Sequence, residues 1–353
     1  MSRFFSDKYD QLVPYVPGEQ PRERKYLKLN TNESPFPPSE KAVAAAAEAA
    51  KNVQLYSDPE CTAFRLALAE RYGVEKENVI AGNGSDEILN FAFAAFCDKK
   101  RKAVFADITY GFYPVFAAQN GVPYEEIPLK ENYTMDVEKI VQTEGTVFIA
   151  NPNAPTGIFL PIEEIEKIVA SNTNRVVVVD EAYVDFGGES CVFLTKKYDN
   201  LLVVGTFSKS RSMAGARLGF GIGNEKLIAD LNTLRYSLNP YNVNSMTLAM
   251  GVATLMEEGY TVSNCRSIID NRTFTTLHLI ALGFDVLPSK ANFLFAKHEK
   301  ITGKDLYLKL KERGVLVRYF DKPRLKEYNR ITIGSYEQME TFIDIVESIL
   351  EEV

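Results

Sequence analysis

The chain has 353 residues, 46% of them hydrophobic and 25% charged, which is enough for two domains with sizeable cores and argues against extended disorder. Its net charge of −7 disfavours a nucleic-acid partner held by a general basic field, so an anionic substrate must be met by local arginines. The four cysteines (Cys61, Cys97, Cys191, Cys265) and two histidines (His278, His298) lie far apart. That spread excludes zinc and iron–sulfur spacings, supplies a histidine-based triad poorly and suits a reducing cytosol.

Residues 1–38 carry six prolines, at 14, 17, 21, 35, 37 and 38, without sustained periodicity, and read as an extended arm packed on something else. Within the arm, Leu27 to Pro35 is a short strand running into a polar turn. No signal-like apolar core occurs at Met1–Asp7, and no run of about 18 apolar residues occurs anywhere. The expectation is a soluble, cytoplasmic protein without a membrane partner.

Ser39 caps an alanine-rich helix, Lys41 to Lys51. In Tyr56-Ser57-Asp58-Pro59 the aspartate caps and the proline opens the next helix, which stops at Gly73. Tyr56 stands between two helices with no core to fill, as a plain surface aromatic or as a reach across a dimer interface. The strand Val79-Ile80-Ala81 then meets Gly82-Asn83-Gly84-Ser85-Asp86-Glu87 and an apolar helix. A strand, a glycine turn and a helix N-terminus together offer backbone N–H groups to one phosphate. The third glycine and the downstream acid of a dinucleotide site are missing.

The strand Ala103 to Ala106 leads to Tyr110, beside a glycine, where an aromatic face is available for a flat ring. Thr146 to Ala150 ends in the rigid turn Asn151-Pro152-Asn153-Ala154-Pro155-Thr156-Gly157, and a helix follows from Pro161 to Ala170. Two further runs, Val176–Val179 and Leu201–Val204, are apolar at every position, as strands buried on both faces of a parallel sheet are. They end in Asp180-Glu181-Ala182-Tyr183 and in Gly205-Thr206-Phe207-Ser208-Lys209. Ligands sit beyond the carboxyl ends of such strands, so the sheet delivers a carboxylate and an amine to one crevice. Capping by Asp180 and a solvated Lys209 is the plainer alternative. The chemical one is pyridoxal phosphate, whose aldehyde needs a lysine and whose ring nitrogen needs an acid.

Arg217 opens the next strand, where it offers a bidentate donor to a phosphate. Gly219, Gly221 and Gly223 share one face of that strand, which marks close packing upon it. The pattern is helical from about Asn244 to Leu282. It then gives short strands at Phe293–Ala296, Val315–Arg318 and Arg330–Ile333, with helices at Gly303–Arg313 and from Glu337. The fold class expected is α/β: a mostly parallel central sheet covered by helices, plus a smaller α+β domain. Domains follow as 1–38 (arm), 39–243 (large) and 244–353 (small).

The segments around Asp180, Tyr183, Thr206, Ser208, Lys209 and Arg217 resemble the active-site spacing of fold-type I pyridoxal-phosphate aminotransferases. Leu29–Pro35, Tyr56–Pro59, Gly82–Glu87, Thr109–Tyr113, Ser289–Phe293 and Arg330–Gly334 are similar to the histidinol-phosphate aminotransferases among them. The resemblance spans nearly the whole chain. It implies pyridoxal 5'-phosphate as cofactor, Lys209 as its Schiff-base lysine and Asp180 on the pyridine nitrogen. It also implies Tyr183 on the phenolic oxygen and Tyr110 on the ring face. The phosphate is implied to be held by Gly84, Ser85, Asp86, Thr206, Ser208 and Arg217, and by Tyr56 from the other subunit of a homodimer.

For substrate, the resemblance implies Arg330 and Arg318 as anion anchors with Asn30 and Glu33 lining the pocket. The reaction is ping-pong exchange between histidinol phosphate and 2-oxoglutarate or glutamate in histidine biosynthesis. Where many members of the family carry an asparagine before Pro-Thr-Gly, this chain has Ala154, and Asn153 is the candidate substitute. An aromatic amino-acid aminotransferase, a threonine-phosphate decarboxylase on the same scaffold and a cofactor-binding module without turnover are the alternatives.

Overall fold

In the computed structural model, residues 2–10, 12–21 and 23–352 are described. Met1, Gln11, Arg22 and Val353, which fall within the expected arm and C-terminal domain, lie outside them. The strands are β1 (Leu27–Lys28), β2 (Val79–Gly82), β3 (Ala103–Ala106), β4 (Tyr124–Ile127), β5 (Thr146–Ala150), β6 (Val177–Asp180), β7 (Leu201–Thr206), β8 (Gly219–Gly223), β9 (Phe284–Val286), β10 (Phe293–His298), β11 (Val315–Leu316), β12 (Arg318–Tyr319) and β13 (Asn329–Thr332). The α-helices are α1 (Glu40–Ala50), α2 (Thr62–Tyr72), α3 (Ser85–Phe96), α4 (Tyr113–Asn120), α5 (Val137–Val141), α6 (Ile162–Ser171), α7 (Glu225–Leu238), α8 (Ser245–Met256), α9 (Glu258–Ala281), α10 (Gly303–Glu312) and α11 (Tyr336–Leu350).

Seven strands form the main sheet in the order β2-β8-β7-β6-β5-β3-β4. All run parallel except β8, which is antiparallel to both β7 and β2. The unbroken apolar runs now have their reason. Val177, Val179, Leu201 and Val203 point into one core, while Val178, Leu202 and Val204 point into the core on the opposite face. Alternate side chains of a strand leave opposite faces, and both faces are covered, so a polar residue at any of these positions would be buried.

A second, four-stranded antiparallel sheet runs β12-β13-β10-β9 around its own core. The arm reaches it through β1, which pairs parallel with β11 at Leu27↔Val315 and Lys28↔Leu316.

Several local expectations shift. Asp58 does accept the amides of Glu60 and Thr62, at 2.9 and 2.7 Å, but α2 starts only at Thr62, because Cys61 sits in a left-handed conformation (φ 49°) that precedes the helix. The long helical stretch breaks in two at Glu257, whose backbone (φ −109°, ψ 43°) is not helical. The strands β4 and β9 carry no unbroken apolar run and escaped the sequence reading. The glycine face of β8 faces close neighbours: a methyl group on Gly219 would lie 2.3 Å from the Ser85 amide nitrogen, and one on Gly221 would lie 3.2 Å from Ile88 Cγ2. These glycines let the first turn of α3 lie directly against the sheet. Among the described residues no helix is long and apolar enough to cross a membrane.

Candidate active site

Register in the main sheet fixes what meets at its edge. Ala150 on β5 is level with Asp180 on β6, which is level with Val204 on β7. Thr206, two residues on, lies level with Gly219, and Gly219 with Gly82. The chain beyond each strand end therefore turns over one cavity of about 390 Å³. Asp180, Tyr183, Lys209, Thr206, Ser208, Arg217, Ser85, Asp86, Tyr110 and Glu33 all stand on its wall.

Lys209 Nζ reaches toward the Thr31 carbonyl oxygen at 3.5 Å and lies 5.8 Å from the centre of the Tyr183 ring. Asp180 is 5% exposed. It accepts the Ala182 N–H at 3.2 Å and faces the Tyr113 hydroxyl at 3.4 Å, while no lysine or arginine among the described residues pairs with it. Burial, reinforced by the carboxylate of Asp86, pushes its carboxyl up to about 7 against the opposing pull of the Ala182 amide, the Tyr113 hydroxyl and the Lys209 charge, because burial disfavours the charged form.

A second group of polar atoms gathers at the N-terminus of α3. Gly84 caps that helix with φ 80°, and a methyl group there would meet Arg217 Nη2 at 2.5 Å. The positive φ favours glycine here, and its bare backbone leaves room for the guanidinium's approach. Arg217, itself left-handed at φ 58°, pairs with Asp86 at 3.0 Å and reaches the Ser208 hydroxyl at 3.4 Å. Thr206 Oγ1 accepts the Ser208 amide at 3.2 Å. A guanidinium, two hydroxyls and the N–H groups of a helix start are donors of the kind that one phosphate can accept from.

Other sequence candidates stand elsewhere. Asn153 lies off the wall: its amide donates to the Ile108 carbonyl at 2.9 Å and Thr156 Oγ1 at 3.1 Å, and its Oδ1 accepts from Thr109 at 2.8 Å. Its amide is engaged in bracing the turn, and the methyl of Ala154 occupies the wall there. Tyr56 is 82% exposed and stacks on Tyr241 at 4.4 Å, outside this chain's cavity.

Arg318 spends its guanidinium on the Val16 and Pro17 carbonyls, at 2.9 and 3.1 Å, which ties down the arm. Asn30 is buried and donates to the Glu19 carbonyl. Glu33, on the wall, is paired with Lys28 at 2.7 Å. Arg330 lies next to Arg318 in the sheet register, between the rings of Phe293 and Phe320 at 5.3 and 5.6 Å. It donates to the Asn30 carbonyl at 3.1 Å, and its Nε has no partner, which leaves part of a buried guanidinium without an acceptor.

Sequence reasoning also passed over wall residues such as Gln20, Thr31 and Gly215. It overlooked Asn32 as well, which donates to the Tyr183 hydroxyl at 3.0 Å. None sits at the end of an apolar run, the signal that led to Asp180 and Lys209.

The sheet edge gathers an amine, a buried acid and donors suited to one phosphate on an α/β scaffold, the equipment that group transfer needs. Residues 24–346 match the family Aminotransferase class I and II, and the chain belongs to that family. It is 45% identical over 99% of its length to the whole of the histidinol-phosphate aminotransferase of Brachyspira hyodysenteriae, and 44% identical over its full length to the whole of that of Clostridium botulinum. Its fold is that of the histidinol-phosphate aminotransferase of Sinorhizobium meliloti in complex with pyridoxal-5'-phosphate (TM-score 0.90, 21% identity, 100% of this chain and 99% of that one). That of Clostridium acetobutylicum is also similar (TM-score 0.86, 23% identity, 92% and 99%).

Proposed function

We propose that the chain is a pyridoxal-5'-phosphate-dependent aminotransferase that passes an amino group between histidinol phosphate and 2-oxoglutarate, with glutamate as the other amine, in histidine biosynthesis in the cytoplasm. The observation that carries this reading is the joining of Lys209, Asp180 and the Arg217 cradle on the wall of one cavity. The substrate assignment draws on the names of relatives matched over their whole lengths.

The residues fit the cofactor on two independent grounds. The buried Asp180 has no ion-pair partner among the described residues, which a protonated ring nitrogen would provide, and the hydroxyl, guanidinium and helix-terminus cradle suits one phosphate. Bound there, the cofactor supplies an aldehyde carbon and an electron-accepting ring. Lys209 would hold the aldehyde through Nζ and, once released by the incoming amine, would carry a proton to and from the substrate's α carbon. Asp180 would keep the ring nitrogen protonated, Tyr183 would donate to the phenolic oxygen and Tyr110 would cover a ring face. Arg217, Ser208, Thr206 and the amides at Ser85 and Asp86 would hold the phosphate, with Gly84, whose own amide donates to the Gly82 carbonyl at 2.9 Å, turning the backbone beneath it.

Both amines are anionic, so each in turn would need the guanidinium of Arg330, whose unpartnered Nε supports that role. Glu33 and Asn30 would shape the pocket beside it, with Arg318 as support through the arm.

A homodimer with Tyr56 reaching the partner's phosphate cradle is part of the reading. Its support is the apolar exposure beside that residue: Val53 and Leu55, close to it in the chain, and Leu238, three positions before the Tyr241 on which it stacks, are each more than half exposed, surface that a second copy would cover. The division into arm, large and small domains draws on the separate cores about the two sheets, with α8 on the large side of the boundary, since Leu248, Met250, Val252 and Leu255 pack on the large-sheet core. The test compares 2-oxoglutarate-dependent turnover of histidinol phosphate with that of phenylalanine. A clear preference for the phosphorylated amine is expected, and equal or reversed rates would favour an aromatic amino-acid aminotransferase.

A further inference from the structure

We propose that Asn32 is a positioning residue that fixes the direction of the Tyr183 hydroxyl hydrogen, holding it toward the cavity. This deepens the functional reading above and rests on it.

Asn32 is 1% exposed and has φ 56°. That backbone conformation accepts asparagine, aspartate or glycine, so it does not explain why an amide stands there. The hydrogen-bond directions do. The backbone N–H of Asn32 donates to Thr332 Oγ1 at 3.0 Å, and a backbone N–H can only donate. The hydroxyl hydrogen of Thr332 then goes to Asn32 Oδ1, also at 3.0 Å.

With its oxygen turned to Thr332, the side-chain NH₂ of Asn32 faces Tyr183 and donates to its hydroxyl oxygen at 3.0 Å. The Asn292 side chain donates to the Asn32 carbonyl at 3.0 Å and holds the loop from the other side. Tyr183 thus receives a hydrogen bond from behind, and its own hydrogen is left for an acceptor in the cavity, on whose wall the tyrosine stands. The cofactor's phenolic oxygen is such an acceptor. Ala154 makes this direction matter more, because a methyl group stands on the wall where an amide donor would share the contact.

Thr332 ends β13 and Asn292 precedes β10, so the smaller sheet sets a hydrogen-bond direction at the edge of the larger one. The charged groups nearby are Lys209, Asp180, Asp86, Arg217 and Glu33 on the wall and Arg330 on β13, and all are retained in the variants that follow.

The measurement is the pH midpoint of the visible absorbance change of the cofactor-loaded enzyme. A donor on the phenolic oxygen draws off charge that would otherwise retain a proton on the neighbouring nitrogen, so losing it moves the midpoint up. Asn32→Gly keeps the backbone unstrained and removes the amide; Thr332→Val frees the amide to rotate. Each should raise the midpoint by roughly 0.4–1 unit, the equivalent of one hydrogen bond. In a Tyr183→Phe background, Asn32→Gly should add nothing, since its effect passes through the missing hydroxyl.

A folded Asn32→Gly enzyme with an unmoved midpoint, or one whose shift persists in the Tyr183→Phe background, overturns this inference alone. A natural chain that takes up no pyridoxal phosphate overturns the functional reading, and this inference with it.

Discussion

Arg217 and Asp86 form a 3.0 Å ion pair at the first turn of α3, and the second oxygen of the same carboxylate accepts the Tyr110 hydroxyl at 2.7 Å. One acid therefore holds both the cation proposed for the phosphate and the aromatic ring proposed to cover the cofactor.

The first prediction concerns that cation. Arg217→Ala leaves Asp86 to face a phosphate without its counter-ion. The affinity for pyridoxal 5'-phosphate should fall by about 10-fold or more, the worth of a charge-assisted hydrogen bond, while the affinity for pyridoxal without phosphate should change little. Equilibrium dialysis with the two compounds distinguishes these. Arg217→Lys should recover only part of the loss, because one ammonium cannot reproduce the planar fork.

Lys209→Ala should leave cofactor uptake through the phosphate cradle largely intact but lower turnover by at least ~10²–10⁴, the usual scale for a lost proton-transfer group. Mass spectrometry after borohydride reduction should show the reduced cofactor adduct, the cofactor's mass less one oxygen, on the natural chain and none on the variant. Substantial transamination by the variant would remove Lys209 from the proposed role.

For Asp180 the sign of the pH dependence is fixed by a carboxyl that titrates near 7 in the cofactor-free fold against an ordinary 3.8. Between those values the folded chain keeps a proton that the unfolded chain has lost. This group's contribution to stability is therefore complete below 3.8 and is lost as pH rises through about 7. Thermal melts of the cofactor-free protein should show that decline, reduced in Asp180→Asn. The buried Glu181, also pushed up to about 7 by desolvation, sustains the remaining slope. Added pyridoxal phosphate should stabilise the natural protein more at about pH 8 than at about pH 5, because the ring nitrogen gives the ionised acid its cation. In Asp180→Asn that difference should shrink.

Gly219→Ala tests the close contact beneath the phosphate cradle. The added methyl would sit 2.3 Å from the Ser85 amide and 2.4 Å from the Gly84 carbonyl carbon, and both are backbone atoms with no rotamer to change. Separating β8 from the start of α3 should cost about 1–3 kcal/mol in chemical denaturation and weaken cofactor binding as well. Gly215→Ala, where a methyl meets nothing within 4 Å, should leave stability nearly unchanged.

The sequence by itself determined the central sheet and its chemistry-bearing edge. Val177–Val179 and Leu201–Val204 are apolar at every position, a pattern stable only under cover on both faces, and the polar residues that end such runs must emerge at the sheet's edge. Asp180 and Lys209 were therefore legible from local pattern alone. Only the tertiary structure decided the rest. Asn153 carries the amide expected on the cofactor, yet its turn folds that amide inward, and Arg318 spends its charge on the arm. Asn32 and Thr332, 300 positions apart, exchange hydrogen bonds that set the direction of Tyr183. Burial depends on neighbours a few residues away and so leaves a periodic trace, whereas hydrogen-bond partnership depends on which distant atoms packing brings within about 3 Å, and that leaves no trace in either segment alone.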